Sequence, residues 1–237
     1  MMKIIFMGTP DFSVGTLEAL IEAGHEVCLV VTQPDKPKGR GKEMQPTPVK
    51  AAAMKHGIPV YQPKKIRDPE CVEELRKYQA DVMVVIAFGQ ILPKSILEMT
   101  PYGCINVHAS LLPKYRGAAP IQWAIINGES KTGVTTFLLN HEIDKGAILG
   151  QVEMPIQPED NVGTLYDRLM TVGADLVVQT VERIAAGEIT PVVQPDEDAS
   201  LRPAPKIFKN DCLIDWTQSG KRIIDFIRGL SPYLRYL

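Results

Sequence analysis

Residues 82–88, VMVVIAF, form the most apolar strand in the chain. A short run with no polar residue belongs to a strand buried on both faces of a sheet. Residues 3–7, KIIFM, make a second run, apolar after Lys3 and stopped by Gly8-Thr9-Pro10-Asp11. Val27–Val31 reads as a third strand and residues 104–108, CINVH, as another. Between them the pattern turns helical. Leu17, Leu20 and Ile21 keep helical spacing up to Gly24, and residues 49–56 and 70–78 read as helices. Strands that alternate with helices in this way pair in parallel, because the helix supplies the crossover that a parallel neighbour needs. The expected class is α/β, a mostly parallel sheet with helices on both faces. Such sheets take ligands beyond the carboxyl ends of their strands. That rule directs attention to the loop after Phe88 and to the residues ending the 104–108 strand.

Farther along, residues 133–139 and 147–155 read as a strand pair joined by the polar loop 140–146, NHEIDKG. Residues 163–186 carry Leu165, Leu169, Val172, Leu176, Val177 and Ile184 near a period of 3.6, which predicts a long helix ended by Gly187. Residues 188–206 hold four prolines and several acids, the composition of a linker. Residues 207–237 return to globular patterning, with Ile223, Ile224 and Ile227 at helical spacing. The expected organisation is a main domain over 1–187, a linker over 188–206 and a short further segment over 207–237.

Composition narrows the function classes. The 237 residues carry a net charge of −2, so nucleic-acid binding would have to rest on a local basic patch. No apolar run reaches the ~18 residues of a membrane helix, and the N-terminal run ends too early for a signal peptide. Cys28, Cys71, Cys104 and Cys212 are far apart, with no C-x-x-C pair and no zinc spacing. They read as reduced thiols of a cytoplasmic protein, and no metal is expected.

Three segments could carry chemistry. The turn Gly8-Thr-Pro-Asp-Phe-Ser-Val-Gly15 lacks the second glycine of a dinucleotide fingerprint and reads better as a tight strand-to-helix turn. Asn106 and His108 alternate with Val107, so on a strand they point to one side near its carboxyl end. An amide and an imidazolium together can stabilise an oxyanion; a histidine bonded to backbone is the plainer alternative. Lys36, Lys38, Arg40 and Lys42 make a basic segment without an acid, kept flexible and non-helical by Pro37, Gly39 and Gly41. It suits phosphates, or is simply a solvated loop.

The stretch NVHASLLPKYRGAAPIQWAI, with IAFGQILP (86–93), TGVT (132–135), GTLYD (163–167) and APKIF (204–208), resembles the formyltransferases that use 10-formyltetrahydrofolate. The likeness runs in order from about residue 3 to 233. It implies a Rossmann-like fold, with Asn106 and His108 catalytic and Asp144 of Ile-Asp-Lys-Gly as their third partner. The family usually reads Asp-Thr-Gly there, so Lys145 is a departure. The resemblance also implies a reduced-folate site lined by Phe88, Gly89, Gln90, Ile91 and Leu92 and by Ser110, Leu111, Leu112 and Pro113. The segment 32–50 is similar to the insertion with which one branch of the family grips the acceptor stem of charged initiator tRNA. That gives Lys36, Lys38, Arg40 and Lys42 a tRNA-binding role, with Arg40 central. Full-length members carry a barrel-like C-terminal domain that contacts tRNA. Residues 207–237 resemble its opening, with LRYL departing from the usual continuation, so a shortened chain is expected. A monomer is also expected. Two alternatives stand beside this reading: formylation of a small-molecule amine, such as a nucleotide sugar or glycinamide ribonucleotide, and a non-enzymatic nucleotide-binding module.

Overall fold

The structure is a computed structural model that describes residues 1–38, 43–195 and 201–233, with the Lys38 side chain left out. Seven strands form one sheet in the order β5-β2-β1-β6-β7-β8-β9. These are β1 (Lys3–Gly8), β2 (Glu26–Val31), β5 (Val60–Tyr61), β6 (Val82–Ile86), β7 (Cys104–His108), β8 (Lys131–Leu138) and β9 (Ile148–Pro155). β1 pairs in parallel with β2 and β6, β2 with β5, and β6 with β7. β8 and β9 pair antiparallel. The expected mostly parallel α/β class holds.

The chain divides into two compact units interleaved along the sequence. The first is Met1–Val107, Leu138–His141 and Val177–Thr190. Its strands explain the apolar runs. Every residue of β6 is buried, and β1 is buried from Ile4 onward, because both are covered on two faces. Ile5, Met7, Leu29, Val31, Met83, Val85, Phe88, Leu92 and Ile96 share one core cluster. The strand expected over 82–88 stops at Ile86, since Ala87 takes a positive φ of 49° and turns the chain out of the sheet.

The glycine-led turn after β1 is a tight entry into helix α1 (Phe12–Glu22). A Cβ on Gly8 would lie 2.7 Å from that of Ser13, whose hydroxyl donates to the Ile86 carbonyl at 2.7 Å. Closeness of the helix start, rather than phosphate binding, accounts for this glycine. Helices α2 (Pro48–Lys55) and α3 (Pro69–Arg76) both start on proline, which fits the first helical turn, and Thr47 caps α2 by accepting from Lys50 N. Of the basic segment, Lys36–Lys38 is described, and it is a strand. β3 (Lys36–Lys38) runs antiparallel to β4 (Glu43–Gln45). Arg40 and Lys42 lie outside the described residues.

The second unit is His108–Phe137, Glu142–Leu176 and Pro191–Leu237. Besides β8, β9 and the short α4 (Lys94–Leu97) of the first unit, the chain forms α5 (Pro120–Ile126), α6 (Val162–Ala185) and α7 (Gly220–Leu230). Ser219 caps α7, and Gly229 lets α7 approach α5 so closely that a Cβ there would sit 2.5 Å from Ile126 Cγ1. Gly187, with φ 71°, follows the end of α6. The segment expected as a linker contributes buried groups: Ala204 is fully buried and exchanges backbone hydrogen bonds with Arg116 and Ala119.

Candidate active site

Strand β7 spaces Asn106 two residues before His108, at the carboxyl end of the parallel array. His108 is buried, and its Nε2 lies 2.7 Å from the carbonyl oxygen of Tyr115. A carbonyl only accepts, so Nε2 carries a proton. That fixes the other nitrogen's role. Nδ1 is bare in the neutral ring and a donor in the imidazolium, and it lies 3.8 Å from Asp144 Oδ2. The plainer reading of a backbone-bonded histidine is thus realised at one nitrogen, while the other meets the carboxylate.

One turn holds both groups. Tyr115 supplies the carbonyl to His108, and Gly117 N donates to Asp144 Oδ2 at 2.8 Å. The turn is made by two left-handed residues, Tyr115 (φ 60°) and Gly117 (φ 125°). At Gly117 a Cβ would come within 2.5 Å of the Ala204 carbonyl oxygen, so only glycine fits. Tyr115 is pinned in turn: its N–H donates to the Arg202 carbonyl, and its hydroxyl donates to Glu129 at 2.7 Å. Burial and the Glu129 carboxylate push the Tyr115 phenol above its ordinary range, so it remains a donor. Asp144 itself has φ 54°. Lys145, the departure from the family pattern, pairs with Glu142 at 2.7 Å.

The Ser110–Pro113 turn is held by side chains of the antiparallel pair. Thr135 Oγ1 donates to the Ser110 carbonyl at 2.7 Å and accepts from Leu112 N and from Gln151 Nε2. Gln151 also donates to the Leu112 carbonyl at 2.8 Å. Ser110 Oγ closes the turn onto the Lys114 carbonyl. Leu111 packs over Gly133, where a Cβ would lie 2.5 Å from its methyl.

In the first unit, the strand order reverses between β1 and β6, and their carboxyl ends are tied together there. Thr9 Oγ1 and Gln33 Nε2 both donate to the Phe88 carbonyl, at 3.1 and 3.0 Å. Phe88 and Leu92 belong to the core, so of the 88–92 loop they serve as anchors. The Gln90 side chain is spent on Ile66 N and the Pro63 carbonyl. Ile91 is 93% exposed, and Gly89 is exposed with φ 86°. Asn106 Oδ1 accepts from Val107 N, which leaves its amide N–H groups without a hydrogen bond to any described residue. At the root of the β3–β4 pair, Asp35 meets Lys50 and Gln62, whose hydrogen bonds hold its carboxyl below the usual range. Lys36 is exposed.

The four cysteines are free. Burial raises the Cys28, Cys104 and Cys212 thiols, Cys104 to about 12, so none of these three is a thiolate nucleophile near neutrality. No cluster of three His, Cys, Asp or Glu side chains suited to a metal ion occurs among the described residues. No helix among them is long and apolar enough to cross a membrane. The residues that sequence reasoning missed are Thr135, Gln151, Tyr115, Gly117 and Gln194. All act through hydrogen bonds to backbone or through backbone shape, which leave no periodic signal.

Comparison with known proteins bears on the chain as a whole. The family model described as formyl transferase covers residues 2–181. The methionyl-tRNA formyltransferase of Agathobacter rectalis is 56% identical over 232 residues, covering 98% of this chain and 74% of that protein. That of Bacteroides fragilis is 50% identical over 234 residues, with 98% and 72% covered. Among solved structures, the N-formyltransferase of Helicobacter canadensis, in complex with folinic acid and dTDP-3-aminofucose, superposes with a TM-score of 0.74 at 23% identity. It covers 97% of this chain and 80% of that one. Glycinamide ribonucleotide transformylase 1 of Symbiobacterium toebii gives 0.68 at 18%, with 82% and 95% covered. These structural likenesses speak to the fold, whereas the sequence identities are high and nearly full-length on this chain. The chain therefore belongs to the formyl transferase family, and within it to the methionyl-tRNA formyltransferases.

Proposed function

We propose that the chain transfers the formyl group of 10-formyltetrahydrofolate to the α-amino group of methionine on charged initiator tRNA, for translation initiation in the cytoplasm. The observation that carries this reading is the single turn, Tyr115–Gly117, that holds an imidazole and a carboxylate side by side. It stands in a chain half-identical to methionyl-tRNA formyltransferases.

The free amine attacks the formyl carbon, and the carbonyl electrons move to oxygen. The amide N–H of Asn106 and the Nδ1–H of charged His108 donate to that oxyanion. Asp144 lies beside Nδ1, balances the imidazolium and relays the proton lost by the amine through water. Collapse breaks the bond to N10, which takes up a proton as tetrahydrofolate leaves. Burial of His108 strengthens each of these electrostatic contacts.

For the reduced folate, exposed Gly89 and Ile91 offer backbone and apolar contact, while Phe88, Gln90 and Leu92 give their loop its shape. Ser110, Leu111, Leu112 and Pro113 form the second contact segment. Lys36, Lys38, Arg40 and Lys42 take the phosphates of the acceptor stem, and residues 207–237 begin a further tRNA-contacting region. The enzyme acts as a monomer.

A formyl-transfer assay tests the acceptor: charged initiator tRNA, glycinamide ribonucleotide and an amino-sugar nucleotide are offered in parallel with 10-formyltetrahydrofolate. Turnover on the tRNA alone is expected, and preference for either small amine would refute the reading. Arg40→Ala should raise KM for the tRNA and lower the slope of log KM against log salt by about one, because one phosphate contact is lost. Folate affinity should stay at its original value.

A further inference from the structure

We propose that Gln194 is a positioning residue for formyl transfer, which with Arg116 holds Asp144 in the conformation that turns its carboxylate to His108. The inference rests on the assignment of Asp144 to the proposed reaction.

Asp144 has a left-handed backbone, φ 54°, in the polar loop after β8. A left-handed backbone is uncommon for a residue with a side chain, aspartate tolerating it better than most, and contacts to its main chain help to hold it. One neighbour does so directly, and a second braces it. Gln194 Nε2 donates to the Asp144 carbonyl at 2.9 Å and to the Gly146 carbonyl at 2.7 Å, so one amide grips the loop on both sides of Lys145. The Gln194 Oε1 accepts from Arg116 Nε and Nη2, at 3.1 and 2.8 Å, and Nη2 also donates to the Pro195 carbonyl.

Arg116 lies between the two residues that hold the reacting pair. The bonds close a ring: Asp144 carbonyl to Gln194, Gln194 to Arg116, Arg116 to the adjoining Gly117, and Gly117 N back to the Asp144 carboxylate. The main chain of Asp144 is fixed by one arm and its side chain by the other. Gln194 is 5% exposed, and both ends of its amide are occupied, so it has nothing left to offer a substrate. Its influence on the reaction runs through Asp144. Only an amide of this length can accept from a guanidinium and donate to two carbonyls at once. A glutamate would keep the Arg116 contact and set an acceptor against two acceptors.

The test is a double-mutant cycle on kcat with Gln194→Ala, Gln194→Glu, Asp144→Asn and the combination of Gln194→Ala with Asp144→Asn. Gln194→Ala should lower kcat about ten- to a hundredfold, the scale of a small misplacement of a reacting group, with KM for both substrates unchanged. Gln194→Glu fills the same space and should be impaired at least as much, with kcat counted per folded molecule, because stranding two carbonyls also lowers its melting temperature. In the Asp144→Asn background, Gln194→Ala should cost less than a further twofold, because its effect passes through the missing carboxylate. Equal losses in both backgrounds, or full kcat in both Gln194 variants beside a crippled Asp144→Asn, would overturn this inference alone. Full activity of Asp144→Asn would overturn the assignment of Asp144 and this inference with it.

Discussion

The chain leaves two adjacent parallel strands in two different ways. After β6 it is held by burial: Phe88 and Leu92 sink into the core, and Thr9 and Gln33 take the Phe88 carbonyl. After β7 it is held by a mesh of side chains on backbone: Thr135 and Gln151 on the 110–113 turn, Tyr115 on His108 and Gly117 on Asp144. The first arrangement fixes a shape and leaves Ile91 and Gly89 outside it. The second fixes the direction of individual polar groups, which is what stabilisation of a transition state requires. Under the proposed function, the 88–92 loop should tolerate small shifts of its apolar anchors far better than His108 tolerates a turned Asp144 carboxylate.

The contrast is broken most forcefully at the anchors. Phe88→Ala removes a buried aromatic ring and should destabilise the protein by about 3–5 kcal/mol, read by denaturant unfolding. Its exposed neighbour should behave in the opposite sense. Ile91→Ser should leave stability within about 0.5 kcal/mol and raise KM for the folate. If both variants lowered stability alike, the division of the loop into anchors and contacts would fall.

The mesh after β7 predicts a smaller loss of stability and a larger loss of function. Thr135→Val keeps the volume of a buried residue but strands the Ser110 carbonyl and the Leu112 N–H. The expected cost is about 2 kcal/mol. Turnover should fall by more than that loss of folded protein explains, since the 110–113 turn loses its hold. A variant with normal turnover per folded molecule would show that this mesh is structural only.

The smallest effect concerns acid. Burial raises the Asp225 carboxyl, but hydrogen bonds and ion pairs with Lys221 and Arg228 outweigh it and hold the group below the usual range. Asp160 is held down against its own burial by the hydrogen bond from Gln157 N and by Arg168. Their folded values lie below their unfolded ones, so the stabilisation is present above the unfolded value, about 4, and is lost as pH falls through the folded one. Asp225→Asn should flatten part of the decline in melting temperature below about pH 4. An unchanged acid limb would remove Asp225 from this account.

Much of the frame was legible in the sequence, for a physical reason. Strands buried on both faces show as apolar runs, as in β1 and β6, and β1, β2, β6 and β7 stand within a residue or two of the expected bounds. Strand alternation put Asn106 and His108 on one side of a strand, but their catalytic role, like that of Asp144, came only through the resemblance. Asp144 was reached only through resemblance, since a loop aspartate has many commonplace uses. Gln194 could not be read at all. It sits among prolines, in a segment with the composition of a linker, and its partners lie about fifty residues and nearly eighty residues away. The apolar pattern likewise gave no means of telling which members of the 88–92 loop are buried anchors and which are exposed, because both kinds are apolar.

The central claim is that the imidazole held by Tyr115 and set beside Asp144 takes part in formyl transfer rather than in folding. Single-turnover formylation of charged initiator tRNA by His108→Ala, paired with calorimetric binding of tetrahydrofolate to the same protein, tests it most directly. The account predicts a rate lower by about a hundredfold or more, the loss typical of one oxyanion donor, with folate affinity retained. A rate within a few fold of the parent, with folate still bound, would contradict it.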